Sequence, residues 1–294
     1  MATAADSEAR FVVALDDLSL EIGVNDLDAL EKNRGAIPRD SRIYINAVAG
    51  AGTAARIKIA QELAGFGFQP VPHVAARRMI SADALDDYLS QLSDKAAVRE
   101  ILVIGGDVAE PLGPFASTLD IITSGQLEKH GIQRIGIAGY PDGHPGIADD
   151  ILQQALEEKL AACRTAGISA YVVTQFSFQA DSIINWCRDL HARHGDLVIH
   201  AGIPGPAKIA TLMRFAKICG VQSSAKKLLA NKKIGLDLLR GAAPTEQLDA
   251  IGQYRIETGQ AVYPHVFTFG GLQELVRWFE QIRSGRNSSD TIKI

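Results

Sequence analysis

RIGIAGYPDGHPGIADDILQQALEEKLAACRTAGISAYVVTQFSF, residues 134–178, carries a strand, a loop, a helix and a second strand in that order. Arg134 to Ala138 and Ser169 to Thr174 are short β-branched or apolar runs, and Ile147 to Ala166 between them has helix-compatible spacing. Two strands joined by a helix make the unit from which a parallel sheet is built.

The same alternation continues on both sides of this stretch. Upstream strand runs are Phe11 to Ile22, where the second half is the better strand, then Arg42 to Ala47, Gln69 to His73 and Glu100 to Ile104. Helical spacing separates them at Thr53 to Gly65, Ser81 to Ser93 and Pro114 to His130. Downstream, the runs Leu197 to Ala201 and Val262 to Thr268 fall among helical segments at Ser182 to His194, Ala207 to Cys219, Ser224 to Thr258 and Leu272 to Arg283. Eight parallel strands predict closure into a (β/α)8 TIM barrel of the α/β class; five or six would suggest an open sheet. A chain of 294 residues suits one such barrel, so residues 1–294 are expected to be a single domain. The polar end, residues 284–294, is expected to be a flexible tail.

Composition narrows the partners. With 30 basic and 34 acidic side chains the formal charge is −4, and no Lys/Arg block stands out, which argues against nucleic acid. No apolar run resembles a signal peptide or a membrane span, so a cytoplasmic protein is expected. Cys163, Cys187 and Cys219 form no CxxC pair and are read as reduced core or helix residues. The histidines show no ligand spacing such as HExxH, so no metal site is expected.

A barrel gathers its chemistry where strands end and loops begin. Glu21 ends the first strand, and in a cleft walled by aromatics a carboxylic acid would have a raised pKa and serve as general acid; a solvated strand end is the plainer alternative. IGGD ends a strand with Gly105 and Gly106, which let the backbone approach a flat ligand, and with Asp107 aimed into the mouth; a turn with a helix cap would look the same. GYPDGHP places Tyr140 and His144 on a proline-stiffened loop. In TQFSF the Gln175 amide offers donors and an acceptor to a pterin-like edge, with Phe176 and Phe178 behind it, unless the aromatics are core and the amide a cap. His73 in PVPH is either a ligand contact or a satisfied core histidine. HAGIPGP, residues 200–206, could pack on a ligand or merely turn the chain. AGAGTAAR, residues 49–56, could receive a phosphate at a helix N-terminus.

Together and in order, these segments resemble the catalytic barrel of methylenetetrahydrofolate reductases. SLE resembles that family's S-F-E, PVPH its A-H-L-T-C strand, VIGGD its A-L-R-G-D and GYPDGHP its G-Y-P-E-x-H-P. TQFSF resembles T-Q-F-F-F, GIPGP resembles G-I-L-P and HVFTFG resembles H-F-Y-T-L-N. The resemblance implies reversible hydride transfer between 5,10-methylenetetrahydrofolate and 5-methyltetrahydrofolate through bound FAD, with NADH or NADPH as electron partner. By the same carry-over Glu21 is the acid that helps open the methylene bridge, Asp107 orients the pterin and tunes the flavin, and Gln175 holds the folate. Asn46, His73, Gly105, Gly106, Tyr140 and His144 fall on the cofactor side, and Phe176, Phe178 and Ile209 on the substrate side.

The chain also departs from the family. Gly105 stands where the family has arginine, and Asn46 where it has a threonine. Leu156, Lys159 and Cys163 occupy polar flavin-contacting positions. Ile209 replaces a phenylalanine and Gly271 an arginine, while Arg77 and Arg78 offer positive charge close by. Two further readings stay open beside the flavoenzyme: direct hydride transfer between NAD(P)H and folate without flavin, and a non-redox folate-binding or methyl-carrier protein on the same barrel.

Overall fold

The computed structural model describes residues 18–47, 52–221 and 244–283. The first half of the expected Phe11 to Ile22 run, the start of AGAGTAAR, most of Ser224 to Thr258 before Pro244, and the polar tail lie outside the described residues.

Eight parallel strands close in sequence order: β1 (Ser19–Ile22), β2 (Arg42–Ile45), β3 (Gln69–Ala75), β4 (Glu100–Ile104), β5 (Arg134–Gly139), β6 (Ser169–Thr174), β7 (Ile199–Pro204) and β8 (Val262–Phe267), with β8 pairing back onto β1. The described helices are α1 (Leu27–Asn33), α2 (Thr53–Gly65), α3 (Ala82–Ala96), α4 (Thr118–Ile122), α5 (Gln126–Lys129), α6 (Asp149–Ala166), α7 (Ala180–Arg193), α8 (Ile209–Ile218), α9 (Thr245–Thr258) and α10 (Leu272–Arg283). The expected (β/α)8 barrel is therefore present. None of the described helices is long and apolar enough to cross a membrane.

Strand alternation explains why these sequences close a barrel. Leu20 and Ile22 of β1 and Ile43 and Ile45 of β2 are buried in the cluster that packs sheet against helices. The residues between them, Ser19, Glu21, Arg42 and Tyr44, face the barrel axis, where Tyr44 meets Tyr171, Leu102, Val71 and Val173. Gly136 makes room there: a Cβ on it would lie 2.8 Å from Leu102 and 3.0 Å from the Tyr171 ring. At the N-terminal end of the barrel Arg42 and Arg134 flank Glu100 at 3.4 and 3.8 Å.

Helix boundaries follow local chemistry. The side chain of Ser81 accepts a hydrogen bond from the Ala84 amide at 3.0 Å and starts α3 at Ala82. Pro114 to His130, expected as one helix, is instead the short α4 and α5, because Gly125 between them has φ of 73° and breaks the run. Cys163 and Cys187 are buried and unpaired, and Cys219 is half-buried and unpaired.

One of the described helices is not part of the outer ring. The ring position between β7 and β8 is filled by α9, which packs on α7 and β8. In contrast α8 lies over the C-terminal mouth: Leu212 and Ala216 share a cluster with Phe176 and Phe178, with Phe267 and Phe269 packed against it.

Candidate active site

Glu21 stands at the centre of the mouth with its side chain 14% exposed. Its Oε2 lies 3.5 Å from Nε2 of His73 and 3.5 Å from Nε2 of His265, brought in by β3 and β8. Asn46, just past β2, also hydrogen-bonds its carboxyl, and the Thr268 hydroxyl donates to its backbone carbonyl at 2.6 Å. Burial alone would raise the Glu21 carboxyl, but the adjacent His73 and His265 rings and Asn46 outweigh it and hold the group below the usual carboxylate range. The sequence-based expectation of a raised pKa is thus corrected, because two histidines distant in sequence converge on one oxygen. Burial also pushes His73 down to about 4, with the Glu21 charge opposing. At neutral pH the pair is an ionised Glu21 beside a neutral His73.

Beneath Glu21 the axis stays polar. Ser19 Oγ is 2.9 Å from Nδ1 of His265 and 3.4 Å from Nδ1 of His200. The ring of Tyr44 packs against His265 at 4.6 Å between centroids, and its hydroxyl donates to that of Tyr171 at 2.9 Å. From sequence, Ser19, His200 and His265 figured only as members of the SLE, HAGIPGP and HVFTFG segments, with no role of their own. Their signal was present in the inward, alternating positions of their strands, but polar residues there also suit plain core packing.

On the β6 side, Gln175 is half-buried at the rim; its amide carbonyl accepts from the Phe176 backbone N–H at 3.1 Å, which leaves the NH2 group for a ligand. Phe176 and Phe178 are buried edge-to-face at 5.5 Å and form the floor under α8 rather than an exposed wall. Ile209, at the start of α8, packs against the same cluster. Phe215 of α8 stacks on Phe269 at 4.3 Å, so the helix is held over the mouth by aromatic faces. Its end brings Cys219 near Glu21, whose charge adds to burial in pushing the thiol up to about 11.

The opposite rim is differently built. Asp107 is 64% exposed and pairs with Arg78 at 2.6 Å; that hydrogen bond lowers its carboxyl. It therefore sits on the rim, not in the mouth. Arg77 donates to the Ala109 carbonyl at 2.6 Å. Gly105 leaves open space, since a Cβ on it would meet nothing within 4 Å, and Gly106 has φ of 98°. Tyr140 and His144 stand edge-to-face at 5.4 Å, and Gly146 N–H donates to Nδ1 of His144 at 3.2 Å. Leu156 and Cys163 of α6 are buried in the sheet–helix core, away from the mouth. Exposed Asp149 and Asp150 begin α6.

A family model described as methylenetetrahydrofolate reductase matches residues 27–231. The curated protein "Methylenetetrahydrofolate reductase 2" of Saccharomyces cerevisiae is 32% identical over 83 residues, or 28% of this chain and 13% of the yeast protein, so the match spans a small part of that relative. In shape the chain is similar to an uncharacterized Clostridium thermocellum protein that binds two copies of 5-methyl-5,6,7,8-tetrahydrofolic acid: the TM-score is 0.60, identity is 11%, and 92% of this chain and 94% of that one are covered. At that identity the likeness is one of fold.

Proposed function

Since this chain belongs to the methylenetetrahydrofolate reductase family, we propose that it interconverts 5,10-methylenetetrahydrofolate and 5-methyltetrahydrofolate by hydride transfer, with NADH or NADPH as electron partner. The observation that carries this reading is Glu21, a carboxyl nearly enclosed at the barrel mouth with the Gln175 amide at the rim above the aromatic floor.

In the reducing direction the bond between the methylene carbon and folate N10 breaks, a hydride adds to that carbon, and N10 gains a proton. Glu21 supplies the proton through its carboxyl and takes it back in the oxidising direction. Gln175 turns its free NH2 group to the pterin edge, where it fixes the ring against the mouth. Because Glu21 is ionised at neutral pH, oxidation meets it in the competent form, and reduction draws on the protonated fraction that grows toward acid. Helix α8 over the mouth excludes water from the reacting carbon.

The described residues do not fit a resident flavin. FAD carries a pyrophosphate that needs cations; Arg78 is held by Asp107, Arg77 gives one N–H to a backbone carbonyl, and Lys159 of α6 is half-buried, where burial lowers its pKa. Gly105 has no side chain to offer, Leu156 and Cys163 are core residues, and carboxylates occupy the start of α6. His73 is closed off against Glu21 instead of facing a ring. We therefore favour the flavin-free course, in which hydride passes directly between nicotinamide and folate, and no step is routed through FAD.

The test is to mix purified protein, NADH and methylenetetrahydrofolate and follow NADH oxidation and 5-methyltetrahydrofolate formation together. Stoichiometric formation of both products supports the reading. A protein that binds folate but turns over neither would instead be a non-redox folate carrier.

A further inference from the structure

A (β/α)8 interior is ordinarily filled by branched apolar side chains. Beneath Glu21 buried polar side chains share that interior with Val71, Leu102 and Val173. His265 and Ser19 are fully buried, and His200 is 1% exposed. The Nε2 atoms of His265 and His73 have no hydrogen-bond partner, and each stands 3.5 Å from Oε2 of Glu21, slightly too far for a formed bond. An unsatisfied buried donor is costly, so a small side-chain shift toward the carboxylate is favoured.

The hydroxyl of Ser19 decides which His265 nitrogen carries the proton. It has one hydrogen, and both of its neighbours are Nδ1 atoms. If His200 donates from Nδ1 to Ser19 Oγ, the Ser19 hydrogen goes to Nδ1 of His265, and a neutral His265 then bears its proton on Nε2, aimed at Glu21. The reverse assignment would aim a lone pair of Nε2 at the carboxylate, which is repulsive.

We infer that His265 is a positioning residue for Glu21: Ser19 fixes its tautomer, and the resulting Nε2–H, with His73 beside it, holds the Glu21 carboxylate ready to accept a proton. These buried side chains, and not the bound folate alone, set when Glu21 is protonated. The groups facing Glu21 among the described residues are His73 from β3, His265 from β8, Asn46 after β2, Cys219 after α8 and Thr268 at its carbonyl. Burial, the largest influence on the Glu21 carboxyl, raises it; the net lowering agrees with this geometry. Only the role of the carboxylate toward folate rests on the function proposed above.

The experiment titrates Glu21 in the ligand-free full chain by NMR with 13C-labelled glutamate, the Glu21 signal being assigned by its loss in Glu21→Gln. In His265→Leu the Glu21 midpoint should rise by about one pH unit or more. Ser19→Ala, which leaves both histidines in place but frees the tautomer, should move it in the same direction by less. His265→Gln, which restores a donor, should return most of the shift. The acid limb of the rate profile for 5-methyltetrahydrofolate oxidation should move in parallel. An unchanged midpoint in Ser19→Ala, with His265→Leu either unchanged or unfolded, overturns the inference. A shifted midpoint in a protein without folate turnover would leave it standing and remove the proposed activity instead.

Discussion

Gly220 rests against Pro145: a Cβ on Gly220 would lie 2.5 Å from Pro145 Cδ, so the chain leaving α8 closes onto the loop after β5, on another side of the mouth. Gly220 also has φ of 75°, which disfavours any L side chain. Glycine is required here twice, for backbone conformation and for contact. Gly220→Ala should cost about 1–2 kcal/mol and loosen α8 without unfolding the barrel. Amide hydrogen exchange should quicken within 209–218 while β1–β8 stay protected, and folate should dissociate faster. Equal exchange in α8 would show that this contact does not hold the helix down.

Glu21→Gln preserves shape and removes the exchangeable carboxyl proton. Folate affinity should change little, while turnover in both directions falls by roughly 100-fold or more, the usual scale of a lost general acid–base group. Calorimetry and initial rates measure the two separately. Retained turnover would remove Glu21 from the chemistry.

Gln175→Ala removes an NH2 group that has no partner in the free protein. The substitution also removes the carbonyl that accepts from the Phe176 N–H, so stability should fall by about 1 kcal/mol while the barrel stays folded. Folate affinity should fall about tenfold, equivalent to one hydrogen bond of about 1.4 kcal/mol. Titration calorimetry checks this, and an unaltered dissociation constant would place the pterin elsewhere.

Acid should destabilise the protein through its buried histidines before it reaches most carboxylates. Burial takes His73 from 6.5 to about 4, so below pH 6.5 the unfolded chain binds a proton that the folded one refuses. The stability from this group is complete above 6.5 and is lost as pH falls toward 4, on the order of 3 kcal/mol in all. His200, also pushed down by burial, acts in the same direction. Glu21, held below the usual carboxylate range, adds a loss at still lower pH. Melting temperature should therefore drop steadily from pH 7 to pH 5, and His200→Asn should flatten that slope. A flat profile in the parent protein would mean that the buried rings are already charged.

The barrel was legible in the sequence because strand period and helix period differ sharply, and each of the eight strands overlaps its expected run. What escaped was the placement of helices and the setting of side chains. The amphipathic face of α8 packs equally well on a ring or over a mouth, so spacing alone could not tell that Leu212 and Ala216 meet Phe176 and Phe178. The expected single helix from Pro114 to His130 ignored a glycine that turns the chain at Gly125. Glu21 and Gln175 stand at strand ends as expected, yet the ionisation of Glu21 depends on His73 and His265, which only closure of β3 and β8 around β1 brings together. Asp107 had a partner one loop away, and Arg78 draws it outward to the rim.

The most direct test of the central claim uses NADH deuterated at the transferable position of the nicotinamide ring, with methylenetetrahydrofolate and the protein as purified. A flavin intermediary would hold the hydride on a nitrogen that exchanges with water, whereas direct transfer keeps it on carbon throughout. The account predicts a colourless protein that delivers the deuterium intact to the methyl group of 5-methyltetrahydrofolate. A yellow protein whose product methyl group carries solvent hydrogen in place of that deuterium would contradict it.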